Sequence, residues 1–263
     1  MNITNFENKK IASYTQVGEG LPVIFVHGFC EDSSVWDSLL TRFPSQYIVR
    51  IDLPGFGNSE QIKDYSIARF AEVVYAVFKD LNIKNGILIG HSMGGYVALE
   101  FAKNYENLLK GLCLFHSHPY EDTPVKKEGR KKNIEFIQKN GPIYYVKQLI
   151  PALFTPTYSS SNHLELAKLV FAAAKYTSQN IIASLEAMIG RSDSTEILTA
   201  AKCPILFIIG KEDTIVPDYL EDTALPNISS IHIVKGVAHM GMLEAPVKCE
   251  RIIKDFIQLV DIC

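Results

Sequence analysis

The stretch Leu88-Ile89-Gly90-His91-Ser92-Met93-Gly94-Gly95 constrains this chain more than any other. Ile87 to Ile89 run into it as an apolar block, and Tyr96, Val97, Leu99, Phe101 and Ala102 follow at helical spacing. The pattern predicts a buried strand, a very tight turn and a helix. Inside the turn stands Gly-x-Ser-x-Gly, at Gly90, Ser92 and Gly94. A serine squeezed between strand and helix takes a strained backbone, and only glycines two residues to either side let the neighbouring chain pass. The turn lifts the Ser92 hydroxyl above the sheet edge. It also aims the unpaired N–H groups and positive dipole end of the next helix at whatever sits there. A serine that merely caps a helix fits the same five residues, so the rest of the chain has to decide.

Strand and helix patterns alternate around this turn. Ile11 to Val17 alternates apolar and polar residues as an outer strand does, and Val23-Ile24-Phe25-Val26 has the continuous apolar run of a strand covered on both faces. Tyr47 to Ile51, Leu112 to Phe115, Ile205 to Ile209 and Ile231 to Val234 extend the strand set. Ser66 to Leu81 and about Pro246 to Val260 are helical by period. The fold class that follows is α/β, with a mostly parallel central sheet and helices on both sides. Residues 119–195 break the rhythm with no strand and four helical patterns. One starts at Thr123-Pro124, one runs from Pro142 and is stopped by Pro151, one covers about Asn162 to Lys175, and one buries Ile181, Leu185 and Met188. The expected division is a core of 1–118 and 196–263 with a helical cap, 119–195, over the C-terminal edge of the sheet, where open parallel sheets bind ligands.

A serine hydroxyl needs a base, and a histidine base works best when a carboxylate orients it. Asp213 follows the Ile205–Ile209 strand in Gly210-Lys211-Glu212-Asp213, and His239 follows the last strand in Gly236-Val237-Ala238-His239. Glu212 and Asp218 compete with Asp213 as the acid, and an Asp after a strand is often a turn former. The order Ser92, Asp213, His239 is that of one serine-hydrolase arrangement and differs from the others. Two N–H donors are also needed for an oxyanion. The expected donors are the backbone groups of Met93, at the start of the elbow helix, and of Phe29, after the Val23–Val26 strand. The Gly-rich loop Asp52-Leu53-Pro54-Gly55-Phe56-Gly57-Asn58-Ser59 lacks the endings of phosphate or dinucleotide loops and is expected to be a structural turn.

Composition removes other classes. With 47% hydrophobic and 21% charged residues among 263 and a formal charge of -3, nothing favours nucleic acid as a partner. The basic run Lys126, Lys127, Arg130, Lys131, Lys132 is expected to be a solvated helix face. No apolar stretch reaches the ~18 residues of a membrane span, and residues 1–10 are too polar for a secretory signal. Five scattered cysteines show neither disulfide nor metal spacing, so reduced thiols and a cytoplasmic location are expected, with Cys30 near the site.

The motifs at Val26-His27-Gly28-Phe29, Asp52 to Ser59, Gly90 to Gly95, Gly210 to Asp213 and Ala238-His239 resemble the α/β-hydrolase superfamily, in its cap-bearing, esterase- and lactonase-like branch. Tyr120-Glu121-Asp122-Thr123-Pro124 followed by Arg130 is similar to the start of the cap in such members. The resemblance implies a small-molecule substrate that enters between cap and sheet and no cofactor; no third ligand accompanies His116 and His118, so no metal is expected. Serine in place of the aspartate of dehalogenase and epoxide-hydrolase members directs the chemistry to acyl transfer. The expected activity is hydrolysis of esters or lactones of small, fairly apolar substrates. A carbon–carbon hydrolase or thioesterase would use the same three residues, and a ligand-sensing relative would keep them with very slow turnover. His118, Tyr144, Tyr145 and Phe154 are candidate pocket residues. His116 and His118 are also read as polar residues at a strand terminus. Oligomeric state is not legible.

Overall fold

The computed structural model describes residues 1–216 and 228–262, so Asp218 and Cys263 lie outside the described residues. Among these, eight strands form one sheet: β1 (Asn2–Phe6), β2 (Lys9–Gln16), β3 (Glu19–Val26), β4 (Gln46–Ile51), β5 (Gly86–His91), β6 (Leu109–Phe115), β7 (Ile205–Gly210) and β8 (Ile228–Val234). Their spatial order is β1-β2-β4-β3-β5-β6-β7-β8. The β1/β2 and β2/β4 pairs are antiparallel and all pairs from β4 to β8 are parallel. Apolar runs such as Val23–Val26, Ile87–Ile89 and Ile205–Ile209 are buried, as parallel strands covered on both faces must be. Helices α1 (Asp37–Leu40) and α11 (Pro246–Ile262), the latter preceded by the short α10 (Gly241–Glu244), pack together on one face, and α2 (Ile67–Asp80) and α3 (Met93–Tyr105) on the other. The chain goes from β3 to β4 on one side and then to β5 on the other. This reversal opens a crevice at the C-terminal ends of β3 and β5, the position where such sheets bind ligands.

At the N-terminus the structure differs from the sequence reading. The expected outer strand, β2, is internal, and β1 forms the edge. A tight turn with Glu7 at φ 49° and Asn8 at φ 62° joins the two, the paired left-handed conformation of a two-residue hairpin. The residue that β1 buries is Thr4, whose hydroxyl donates to Asp80 at 2.9 Å. A polar residue on the buried face hid the strand from hydrophobic periodicity.

Between β6 and β7 lie α4 (Pro124–Asn140), α5 (Pro142–Ala152), α6 (Pro156–Ser161), α7 (His163–Ala173) and α8 (Ser178–Ile189), and α9 (Thr195–Ala200) leads back. The short α6 is one helix more than the periodicity predicts. Thr155 caps it, accepting from the Tyr158 N–H at 3.2 Å, and Pro156 opens it. Pro151 lies inside the last turn of α5, which continues only to Ala152. The segment leaves and returns at one neck, where the Ser194 N–H donates to the Pro119 carbonyl at 2.8 Å. Beside it, buried Asp122 accepts from Arg130 at 2.5 Å and Arg191 at 2.9 Å.

The sharpest feature of the sheet edge is Ser92, with φ 50° and ψ -115° between β5 and α3. A non-glycine residue there carries about 1–3 kcal/mol of strain. The surroundings fix it: the Ser92 N–H donates to the Phe115 carbonyl at 3.0 Å, and its own carbonyl accepts from the Ser117 hydroxyl at 2.8 Å. Gly94 passes so close to β3 that a Cβ would lie 2.5 Å from the Val26 carbonyl oxygen and 2.6 Å from that of His27. Gly94→Ala is therefore expected to lower stability by about 1–3 kcal/mol through overpacking against unyielding backbone. Urea unfolding checks this, and an unchanged midpoint would contradict the close approach.

Candidate active site

The loop after β7 carries Asp213, and the loop after β8 carries His239. Glu212 ties the two loops together, because one carboxylate oxygen accepts from both the Gly236 and Val237 N–H groups at 2.9 Å. Asp213 Oδ1 accepts from the backbone of Ile215 (2.8 Å) and Val216 (3.2 Å). Its Oδ2 faces Nδ1 of His239 at 2.8 Å and Nδ1 of His116 at 3.2 Å. Burial alone would raise the Asp213 carboxyl, but the His239 and His116 rings hold it far below the ordinary aspartate value. An ionised Asp213 on Nδ1 fixes the His239 tautomer and leaves Nε2 as the basic atom.

The histidine loop is anchored to the helical segment as well as to the sheet. Glu244 accepts from Ala238 N–H (3.0 Å) and Met240 N–H (3.3 Å) with one oxygen, and from Thr155 N–H (2.9 Å) with the other. The His239 N–H itself donates to the Leu153 carbonyl at 2.9 Å, just past the end of α5.

Ser92 and His239 line one cavity of about 330 Å³ together with Phe29, Glu31 and Tyr96 from the sheet side. Met93 opens α3, so its N–H has no acceptor within the helix. The Phe29 loop is curled by the Gly28 N–H, which donates to Glu31 at 2.8 Å. The remaining walls are of two kinds. Helix α4 contributes Lys126, Gly129, Arg130 and Asn133, whereas Tyr145, Leu149, Leu153, Met188 and Ile215 form an apolar side. The Lys126 ammonium donates to the Ile215 carbonyl at 2.9 Å. Its pKa is lowered by burial.

Of the other expected pocket residues, only Tyr145 lines this cavity. Tyr144 is 58% exposed, because successive helical residues point about 100° apart and only one of the pair can face inward. Phe154 is buried against Tyr158, their rings stacked 5.0 Å apart. His118 stacks on Tyr120, sits 3.3 Å from the Tyr96 hydroxyl and lines a neighbouring cavity beside Asp213 and Thr214. Burial, with Arg191 and Lys126 nearby, pushes its pKa down to about 3. His116 does not face the cavity either: it is fully buried on Asp213, with its pKa pushed down to about 4 by burial. Cys30 is buried, and desolvation beside Glu31 raises its thiol well above the ordinary range, which removes it as a nucleophile at neutral pH.

Periodicity gave no warning of Glu31, of the contact between His116 and Asp213, or of Lys126 and Met188 in the cavity wall. Glu31 follows the Phe29 loop and His91 precedes Ser92, and that adjacency is the one signal either offers. The loop from Asp52 to Ser59 is the structural turn expected of it: the Asp52 carboxylate accepts from the N–H groups of Ser33 and Asn58, each at 2.9 Å. Among the described residues His116, Asp213 and His239 are a cluster with metal-ligand chemistry, but their facing atoms already bond one another.

Strained serine, histidine, buried carboxylate and parallel sheet together define an α/β hydrolase. The alpha/beta hydrolase family model matches residues 23–252, and the chain belongs to that family. It is 28% identical over 252 residues to a pimeloyl-[acyl-carrier protein] methyl ester esterase of Wigglesworthia glossinidia brevipalpis, covering 92% of this chain and 96% of that one. A 2-succinyl-6-hydroxy-2,4-cyclohexadiene-1-carboxylate synthase of Klebsiella pneumoniae is 27% identical over 73% of this chain and 77% of its own. Among solved structures, a malate-bound thermophilic esterase of Thermogutta terrifontis superposes with a TM-score of 0.89 at 27% identity, covering 98% of both chains.

Replacing Asp213 by Asn keeps the shape but presents the wrong tautomer of His239. Turnover of any ester substrate is expected to fall about 10⁴-fold with the fold intact by circular dichroism. A loss below tenfold would remove Asp213 from the role of orienting acid.

Proposed function

We propose that this chain hydrolyses carboxylic esters, including lactones, through an acyl-enzyme on Ser92. The observation that carries the reading is the Asp213–His239 contact at 2.8 Å, made by a histidine that shares one cavity with the strained serine. His239 Nε2 takes the Ser92 proton as Oγ attacks the ester carbonyl, and the backbone N–H groups of Phe29 and Met93 receive the oxyanion. Imidazolium His239 then protonates the departing alcohol oxygen as its bond to the acyl carbon breaks. A water deprotonated by the same nitrogen attacks the acyl-enzyme, and Ser92 leaves with its proton restored. Asp213 stays ionised and stabilises the imidazolium in both halves. Residues 119–195 act as a cap whose α4, α5 and α8 residues close the cavity. The names of the relatives, an acyl-carrier methyl ester esterase and a malate-bound esterase, support an ester as substrate.

The two-sided cavity refines the substrate. An apolar chain fits the Tyr145, Leu149, Leu153 and Met188 side, and the α4 wall adds positive charge. Arg130 and Arg191 share the single carboxylate of Asp122, and no ion pair of Lys126 occurs among the described residues. A small, mainly apolar ester with a polar or anionic far end suits both.

The test is a p-nitrophenyl ester series from acetate to octanoate, beside monomethyl esters of dicarboxylic acids, with wild type and Ser92→Ala. Wild-type turnover is expected with a chain-length optimum, and a loss of about 10³-fold or more in the Ser92 variant. Lys126→Ala is expected to raise KM about tenfold for the charged monoesters alone, the effect of one charge-assisted hydrogen bond. Wild-type inactivity on every ester would overturn the proposal and favour thioester or carbon–carbon cleavage by the same residues.

A further inference from the structure

Acyl transfer at Ser92 requires three loops to meet: the Phe29 loop after β3, the elbow after β5 and the His239 loop after β8. All three meet at a side chain to which the chemistry above gives no step. The His91 ring is fully buried. Its Nδ1 lies 3.0 Å from Glu31 Oε2, and its Nε2 lies 3.0 Å from the carbonyl oxygen of His239. A carbonyl oxygen only accepts. Glu31 Oε2 also accepts from the Gly28 N–H at 2.8 Å, and two donors on one oxygen favour the ionised carboxylate, which likewise only accepts. Both ring nitrogens therefore face acceptors, whereas a neutral imidazole has a single N–H. A neutral ring would turn one lone pair against an acceptor in a buried site, and a doubly protonated ring satisfies both contacts.

We infer that His91 is an imidazolium paired with Glu31 in the resting protein, and that it is a positioning residue tying the oxyanion loop to the backbone of His239. Gly28 and Glu31 flank Phe29, so the pair fixes the oxyanion donor, while the bond to the His239 carbonyl fixes the base. The groups facing His91 agree with a charged ring. Glu31 and Asp213 supply negative charge, the His116 ring, kept neutral by burial, and the His239 ring lie 6.2 and 5.0 Å away, and the Trp36 and Phe115 ring planes are steeply inclined to it at 6.1 and 6.0 Å. Burial by itself favours the neutral ring, but the Glu31 charge and hydrogen bond, then the His239 carbonyl, raise His91 above the ordinary histidine value. Glu31 moves the opposite way: burial raises it, and the His91 charge and hydrogen bond bring it below the ordinary glutamate value. The sign of the linkage follows. His91 contributes stability that is fully present below the free-histidine pKa and is lost as pH rises through its raised folded value. Glu31 contributes stability present above the free-glutamate pKa and lost as pH falls through its lowered one.

Nitrogen NMR of ¹⁵N-histidine-labelled protein near neutral pH tests the protonation directly. The His91 ring is assigned by its contacts to Trp36 and Phe115 and by its disappearance in His91→Gln. Both ring nitrogens are expected in the protonated range, and one bare nitrogen overturns the inference. Glu31→Gln keeps the shape but removes the charge that retains the second proton. With the best ester substrate, kcat is expected to fall about 10- to 100-fold while KM stays within about twofold. The alkaline limb of kcat is expected to move to lower pH. A folded Gln variant with unchanged kcat and pH profile overturns the positioning role. The kinetic arm rests on the catalytic reading of Ser92 and the nitrogen spectrum does not. A doubly protonated His91 in a protein without Ser92-dependent turnover would defeat that reading and leave the ion pair standing.

Discussion

The backbone of Ser92 is the constraint on which the rest depends. A side chain at φ 50° and ψ -115° persists only where its neighbours over-determine it. Here Phe115 and Ser117, at and just beyond the end of β6, hold the two peptide groups of Ser92, and Gly94 lets α3 run against the carbonyls of β3. Three adjacent strands thereby fix one hydroxyl. The strain is local, and the cooperative burial of Val26, Ile89, Leu114 and the surrounding sheet supports it.

The second theme is how few contacts coordinate the other loops. Glu212 joins the Asp213 loop to the His239 loop, Glu244 joins the His239 loop to the start of α6, and Glu31 with His91 joins the Phe29 loop to the Ser92 turn and the His239 loop. Each is a carboxylate receiving backbone or imidazole donors, which gives charge-assisted bonds stronger than neutral ones. His239 also donates its N–H to the Leu153 carbonyl just past the end of α5, so the histidine backbone is tied to the helical segment.

Most of the sheet was legible because parallel strands need continuous apolar runs, and Val23–Val26, Ile87–Ile89 and Ile205–Ile209 have them. The same rule failed at β1, where the buried residue is Thr4. That Ser92, Asp213 and His239 would meet at one sheet edge was legible because each stands at a strand end inside a short, chemically constrained loop. The pocket could not be read so well. Tyr144 and Tyr145 are identical in type, and helix phase alone sends one outward and one into the cavity. Phe154 packs on Tyr158, and His118 on Tyr120 and Tyr96, through contacts that no local pattern encodes. His91 and Glu31 are sixty residues apart in sequence, so their pairing exists only once β3 and β5 lie side by side.

Covalent catalysis at Ser92 is the central claim, and acyl-enzyme trapping tests it most directly. The protein is mixed with a slowly deacylated p-nitrophenyl ester, quenched in acid within the burst phase, digested and examined by mass spectrometry. The account predicts one acyl adduct, on the peptide containing Ser92, which disappears as turnover completes. Ester hydrolysis without an adduct at Ser92, or with one on another residue such as Cys30, would contradict it.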